Sequence, residues 1–111
     1  MENPPKVKII KVTVGKEEKK YSYMPGNDCP IFHALKNAGV SVRQVGSEVF
    51  SYERDGHFYG DYLAVPRMRK YRAHLIRTDS SLLRRFRRSF TFYLAESADG
   101  ILSPVTEPTG A

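Results

Sequence analysis

The chain has 111 residues and a mass of 12.7 kDa, the length of one domain. Hydrophobic residues make up 41% and charged residues 27%, a globular balance that excludes collagen-like, coiled-coil and fully disordered classes. Eighteen Lys and Arg against twelve Asp and Glu give a net charge of +6, and the single Cys29 excludes an intramolecular disulfide framework and a cysteine-rich zinc site.

Lys6 to Val14 is rich in β-branched residues and predicts a strand. The polar run from Lys16 to Lys20 predicts a turn. Tyr21 and Tyr23 alternate with polar neighbours beyond it, so a hairpin closing around residues 15–18 is expected. A helix is predicted over Pro30 to Ala38. Asp28 or Cys29 caps it, Pro30 suits its first turn, and Gly39 stands where a terminating glycine belongs. Ile31, Phe32, Leu35 and Ala38 share one face of that helix; His33, Lys36 and Asn37 lie opposite.

Residues 40–77 predict a β-meander. Val40, Val42 and Val45 mark one strand and Val49 to Tyr52 the next, with a turn at Asp55-Gly56. His57 to Val65 follows, with Gly60 as a bulge, and Pro66 ends it. Arg69 to Arg77 fits either period. The alternation of Tyr71, Ala73 and Leu75 with Arg72 and His74 favours a strand.

Thr78-Asp79-Ser80 predicts a cap for a second helix over Ser80 to Arg88. Its apolar face is Leu82, Leu83 and Phe86, with Arg84, Arg87 and Arg88 facing outward. Phe90 to Ala95 is the last core strand, with Phe90, Phe92 and Leu94 on one side. Residues 1–5 and 97–111 are expected to be flexible ends around one domain, 6–96. The order β-β-α-β-β-β-(β)-α-β points to an α+β fold with a mainly antiparallel sheet. No apolar run approaches a transmembrane length, and the start lacks an apolar leader segment, so a cytoplasmic protein with no membrane partner is expected.

The charge is regional. Residues 67–88 hold nine basic side chains, Arg67, Arg69, Lys70, Arg72, Arg77, Arg84, Arg85, Arg87 and Arg88, against Asp79 alone. That segment carries +8 and the remainder −2. Arg makes planar, bidentate contacts with phosphate and carboxylate. Tyr71 and His74 are interleaved, and Tyr59 and Tyr62 are close in sequence; rings beside Arg can stack on bases. The nine basic residues and Tyr71 form the expected contact face for nucleic acid or an acidic or nucleoprotein partner. The plainer account is a solvated Arg face complementing a helix C-terminus.

Cys29 and His33 are four apart at a helix start, the spacing of a thiol-imidazole pair. The alternative is a small buried cap beside a surface histidine. A metal site from Cys29, His33 and either His57 or His74 would rest on two local ligands and one distant one. Glu53, Asp55 and Asp61 flank a turn, where carboxylates commonly suit the hairpin. No phosphate-binding loop, nucleophile elbow or zinc-protease helix is present. No catalytic residue and no cofactor is expected.

Cys29-Pro30-Ile31, Ala34-Leu35 and Ala38-Gly39-Val40-Ser41-Val42 resemble a pattern in short bacteriophage-encoded proteins, a "CPIALAL"-like helix followed by a "VSV" strand. Leu82-Leu83-Arg84-Arg85-Phe86 and Ser89-Phe90-Thr91-Phe92 look similar to the closing part of that pattern. The resemblance spans about half the chain; Phe32-His33 and the Arg cluster depart from it. It implies a viral or mobile-element accessory protein in a bacterial cytoplasm and a structural role for Cys29. Such proteins often bind as regulators or as inhibitors of host defence. Three functions therefore stand open: nucleic-acid binding through the Arg face, inhibition of an anti-phage host protein or sequestration of a phosphorylated nucleotide signal, and a thiol enzyme.

Overall fold

The computed structural model describes residues 7–22, 29–46, 49–54, 56–65 and 67–105, with the backbone alone described for 54 and 57–64. The expectations for residues 1–6 and 106–111, for Tyr23, Asp28, Asp55 and Pro66, and for the side chains of His57, Tyr59, Asp61 and Tyr62 lie outside these residues.

Strand β1 (Lys8–Val14) follows the period-two rule, burying Ile10, Val12 and Val14 while Ile9, Lys11 and Thr13 face out. Its partner is not the next segment. It pairs antiparallel along its whole length with the strand Phe90–Glu96, placing Val14 opposite Phe90 and Lys8 opposite Glu96. Phe90, Phe92 and Leu94 are buried on the same side. The Thr13 and Thr91 hydroxyls meet at 3.1 Å across the pair.

The expected hairpin at residues 15–18 is therefore corrected. A 3-10 turn, Glu18–Lys20, follows β1. The cause is the Glu18 carboxylate. One oxygen accepts the Gly15 N–H at 2.8 Å and the other accepts the Asn37 amide at 3.1 Å. That folds the chain back toward the next helix instead of into a second strand.

Helix α1 (Pro30–Asn37) forms as its signals dictate. Cys29 caps it, its sulfur accepting the Phe32 N–H at 3.4 Å. At the other end Gly39 takes φ +91°, Val40 N–H donates to Leu35 O at 3.0 Å, and Gly39 N–H donates to Lys36 O at 3.0 Å. These paired bonds are the Schellman termination, and Leu35 and Val40 supply its apolar contact in the core. Ile31, Ala34 and Leu35 are buried; Phe32 and Ala38 pack at the core's edge.

Strands β2 (Val42–Val45), β3 (Val49–Arg54) and β4 (His57–Ala64) form the expected meander, with Gly56 at φ +78° in the turn. Tyr59 pairs with Tyr52 and Leu63 with Phe50, so residues 60–62 together oppose Ser51. That bulge falls where Gly60 predicts one.

Residues 68–77 are helical. Helix α2 (Met68–Arg77) replaces the strand favoured for residues 69–77. Met68, Tyr71 and Leu75 recur at helical spacing and are its buried face. The alternation of Tyr71, Ala73 and Leu75 is coincidental with that period.

The second predicted helix is corrected as well. Residues 80–88 hold only turns and a 3-10 turn at Arg84–Phe86. Leu82, Leu83 and Phe86, the expected buried face, are 73%, 43% and 63% exposed.

Strand β5 is Phe90–Glu96, and β6 (Leu102–Val105) pairs antiparallel with it, within a segment expected to be a flexible tail. Its Leu102 N–H donates to the Tyr52 hydroxyl at 2.8 Å. The fold is α+β: the described residues form two α-helices and two antiparallel sheets, ordered β1-β5-β6 and β2-β3-β4. Among the described residues no helix is long and apolar enough to cross a membrane.

Candidate anion-binding face

The nine basic residues do not share one surface. Arg87 turns inward and is 2% exposed, where an outward position was expected. Its guanidinium has five N–H groups, and all five are used. Nε donates to Thr78 Oγ1 at 3.0 Å. Nη1 donates to the carbonyls of Lys19 at 2.9 Å and Tyr21 at 2.6 Å. Nη2 donates to the Leu75 carbonyl at 3.0 Å and to the Asp79 carboxylate at 3.1 Å. Burial pulls the Arg87 pKa down while Asp79 holds it up. Arg87 thus ties the turn after β1, the end of α2 and the segment before β5.

Those acceptors explain the missing helix. In a continuous helix Arg84 and Arg87 would lie on one face. Here Arg87 has extended backbone, φ −61° and ψ 138°, which aims it at carbonyls on two other segments.

Tyr71 and His74 sit one turn apart on α2 and clasp Arg88. The Tyr71 hydroxyl donates to the Arg88 carbonyl at 2.6 Å. The Arg88 N–H donates to His74 Nε2 at 2.8 Å, which requires an unprotonated nitrogen there. Tyr71 also stacks on Phe90 with ring centroids 4.7 Å apart. Burial pushes the Tyr71 phenol up to about 12. Expected as a stacking ring for bases, Tyr71 is instead buried, with its ring spent on the core.

This docking leaves a groove of about 530 Å³ between α2 and the segment 88–90, walled by Arg67, Lys70, Arg77 and Arg88, with Tyr71, His74 and Phe90 behind them. Its described lining contains no carboxylate. His74 reports the local field. Its pKa is lowered first by burial and then by Arg88, Arg77, Arg87 and Lys19. Arg67 enters α2 with φ 66°, a left-handed value uncommon for arginine.

Arg84 and Arg85 belong to a second cleft of about 650 Å³, which they line with Lys16, Lys19, Lys20 and Ser81. Arg84 is largely engaged, donating from Nε to Asp79 O at 2.7 Å and facing the Asp79 carboxylate at 3.7 Å. Lys16, Lys19 and Lys20 do not stand out in the sequence because Glu17 and Glu18 balance them locally. Only the inward turn of Glu18, seen in its bonds to Gly15 and Asn37, leaves the lysines dominant. Arg69 and Arg72 line neither cavity.

The Cys29 thiol is 1% exposed and serves as the cap of α1. The His33 ring stacks on Tyr21 at 3.6 Å, tilted by 10°. Glu53 lies 3.6 Å from Arg43. Among the described residues no three His, Cys, Asp or Glu side chains gather as a metal site.

Comparison with family models, with curated proteins and with solved structures returns no match for this chain.

Proposed function

We propose that this protein binds nucleic acid, and that the groove between α2 and Arg88 is the backbone-contacting site. The observation that carries the reading is the wall of Arg67, Lys70, Arg77 and Arg88 with no described carboxylate among them. Arg and Lys at such spacing neutralise phosphates and release counterions. The depressed pKa of His74 supports it, since part of that shift comes from the same cations. The role is non-catalytic in this reading, and the buried, capping Cys29 accords with that. A catalytic thiolate needs an accessible, electropositive setting.

The test is a titration of labelled oligonucleotides at two salt concentrations. Lys70→Ala/Arg77→Ala is the informative variant, because both side chains are exposed and hold no structural hydrogen bond among the described residues. Affinity is expected to fall in the variant. The slope of log K against log salt is expected to flatten by about 0.7–0.9 for each phosphate that the variant no longer neutralises. Unchanged affinity and slope would reject the reading. Arg87 is unsuitable for the test, since its loss would disturb the fold itself.

A further inference from the structure

We infer that the second cationic cleft is a continuation of the same site, that Phe86, between the two in sequence, is a base-stacking platform, and that the ligand is therefore single-stranded. The inference rests on the nucleic-acid reading and narrows it.

Three observations carry it. The cleft lined by Lys16, Lys19, Lys20, Arg84 and Arg85 has no carboxylate in its described lining. Arg84 is committed to Asp79 and to the Lys20 carbonyl, so Lys16, Lys19 and Arg85 are the side chains left to meet phosphate. Glu17 reaches Lys20 at 3.4 Å, but both side chains are more than 60% exposed, and such a pair yields readily to a bound phosphate.

The second observation is the path of the chain. Arg84 and Arg85 line one cavity and Arg88 lines the other. Arg87, between them, points into the protein. Phe86 is exposed and lies in sequence between Arg85, which lines one cavity, and Arg88, which lines the other.

The third is Phe86 itself. It is 63% exposed, and the Arg85 guanidinium lies 4.9 Å from its ring centroid. A single exposed ring is ordinary at a protein surface, and what marks Phe86 is the guanidinium held against its face within a cationic segment. Arg85 covers part of it. A nucleobase has a π-face to stack on the remainder, and a cationic track with an interposed aromatic ring is the pattern of single-strand binders. Bases within a duplex are already stacked on each other and cannot use it.

The experiment compares a single-stranded oligonucleotide with the duplex of the same sequence. Wild type, Phe86→Leu, Lys16→Ala/Lys19→Ala/Arg85→Ala and Lys70→Ala/Arg77→Ala are titrated, each after its melting temperature is matched to wild type. Phe86→Leu keeps an apolar side chain but loses the ring. It is expected to weaken single-strand binding about fivefold or more and to leave duplex binding unchanged. The triple variant is expected to weaken binding and to flatten the salt slope.

Equal affinity for single strand and duplex, or no effect of Phe86→Leu, would overturn the inference. If Lys70→Ala/Arg77→Ala still weakened binding in that case, the nucleic-acid reading would survive alone. Absence of any binding by wild type would remove both. Vesicles containing phosphatidylserine provide the competing arm, because Leu82 and Leu83 are exposed beside the same cleft. Wild-type binding to vesicles that is lost in Leu82→Ser/Leu83→Ser, with no preference for single strands, would assign this segment to an anionic lipid surface instead.

Discussion

Arg87 donates from Nη1 to the carbonyl oxygen of Tyr21 at 2.6 Å, across 66 positions of sequence. That bond is one of five from a single buried guanidinium, and the acceptors lie on segments that share no strand pairing. Arg87 therefore holds the cationic face in place without belonging to it.

Removing the guanidinium strands several carbonyls and the Asp79 carboxylate at once. Arg87→Ala is expected to lower the unfolding free energy by about 3 kcal/mol, read from urea denaturation. Arg87→Lys keeps the charge but has three donors on one atom, which cannot reach acceptors on opposite sides. It is expected to recover less than half of the loss. Equal stability of Arg87→Lys and wild type would show that charge alone matters here.

His74 makes stability depend on pH. Its folded pKa lies below the ordinary 6.5, chiefly through burial and then through the neighbouring cations. The unfolded chain therefore binds the proton first as pH falls. The stability linked to His74 is present above about 6.5 and is lost as pH drops toward the depressed folded value. Protonating Nε2 also removes the acceptor for the Arg88 N–H. Denaturation at a series of pH values should show this fall. His74→Gln should flatten the slope relative to wild type.

Tyr71 acts at the other end of the pH scale. Its phenol is raised to about 12, against an ordinary value of 10. The associated stability is complete below pH 10 and declines as pH rises toward that folded value. An ultraviolet titration should include a late phase at about 12. Tyr71→Phe should abolish that late phase and cost about 1 kcal/mol, the worth of the bond to the Arg88 carbonyl.

Gly39 isolates a backbone effect. At φ +91°, a Cβ would touch nothing within 4 Å, so crowding plays no part in a substitution. Gly39→Ala is still expected to cost about 1 kcal/mol, because an L-residue resists that conformation. A thermal shift to lower temperature measures it; an unchanged midpoint would mean that the Schellman turn relaxes freely.

The legible parts of the fold are those fixed by neighbours in sequence. Cys29, Pro30 and Gly39 announce α1 because caps act within a few residues. The meander is readable from its turn glycine and its β-branched runs. Two segments mislead for a physical reason. Residues 69–77 satisfy both a two-residue and a helical period, and the choice falls to Tyr71, His74 and Leu75 meeting residues 87–90, which no local window contains. Residues 80–88 have helical periodicity, but the burial of Arg87 requires acceptors from Lys19, Tyr21 and Leu75. The cationic segment is visible by composition, yet its division into two cavities is not. That division depends on which arginine turns inward and on lysines near residue 16 that are distant in sequence.

The pairing of β1 with β5 gives the chain an order of events. Thr13 meets Thr91 only after 78 positions of sequence have been made, and among the described residues β1 has no other strand beside it. During synthesis α1 can pack on the apolar side of β1 early, but the hydrogen-bonding edge of β1 stays unpaired until Phe90–Glu96 leaves the ribosome. Contacts of such separation close slowly because a long loop must be ordered first. The emerging polypeptide is thus exposed to self-association until nearly all of the described domain has been translated, and a nascent chain stalled before residue 90 would bind chaperones that a chain released past residue 96 does not.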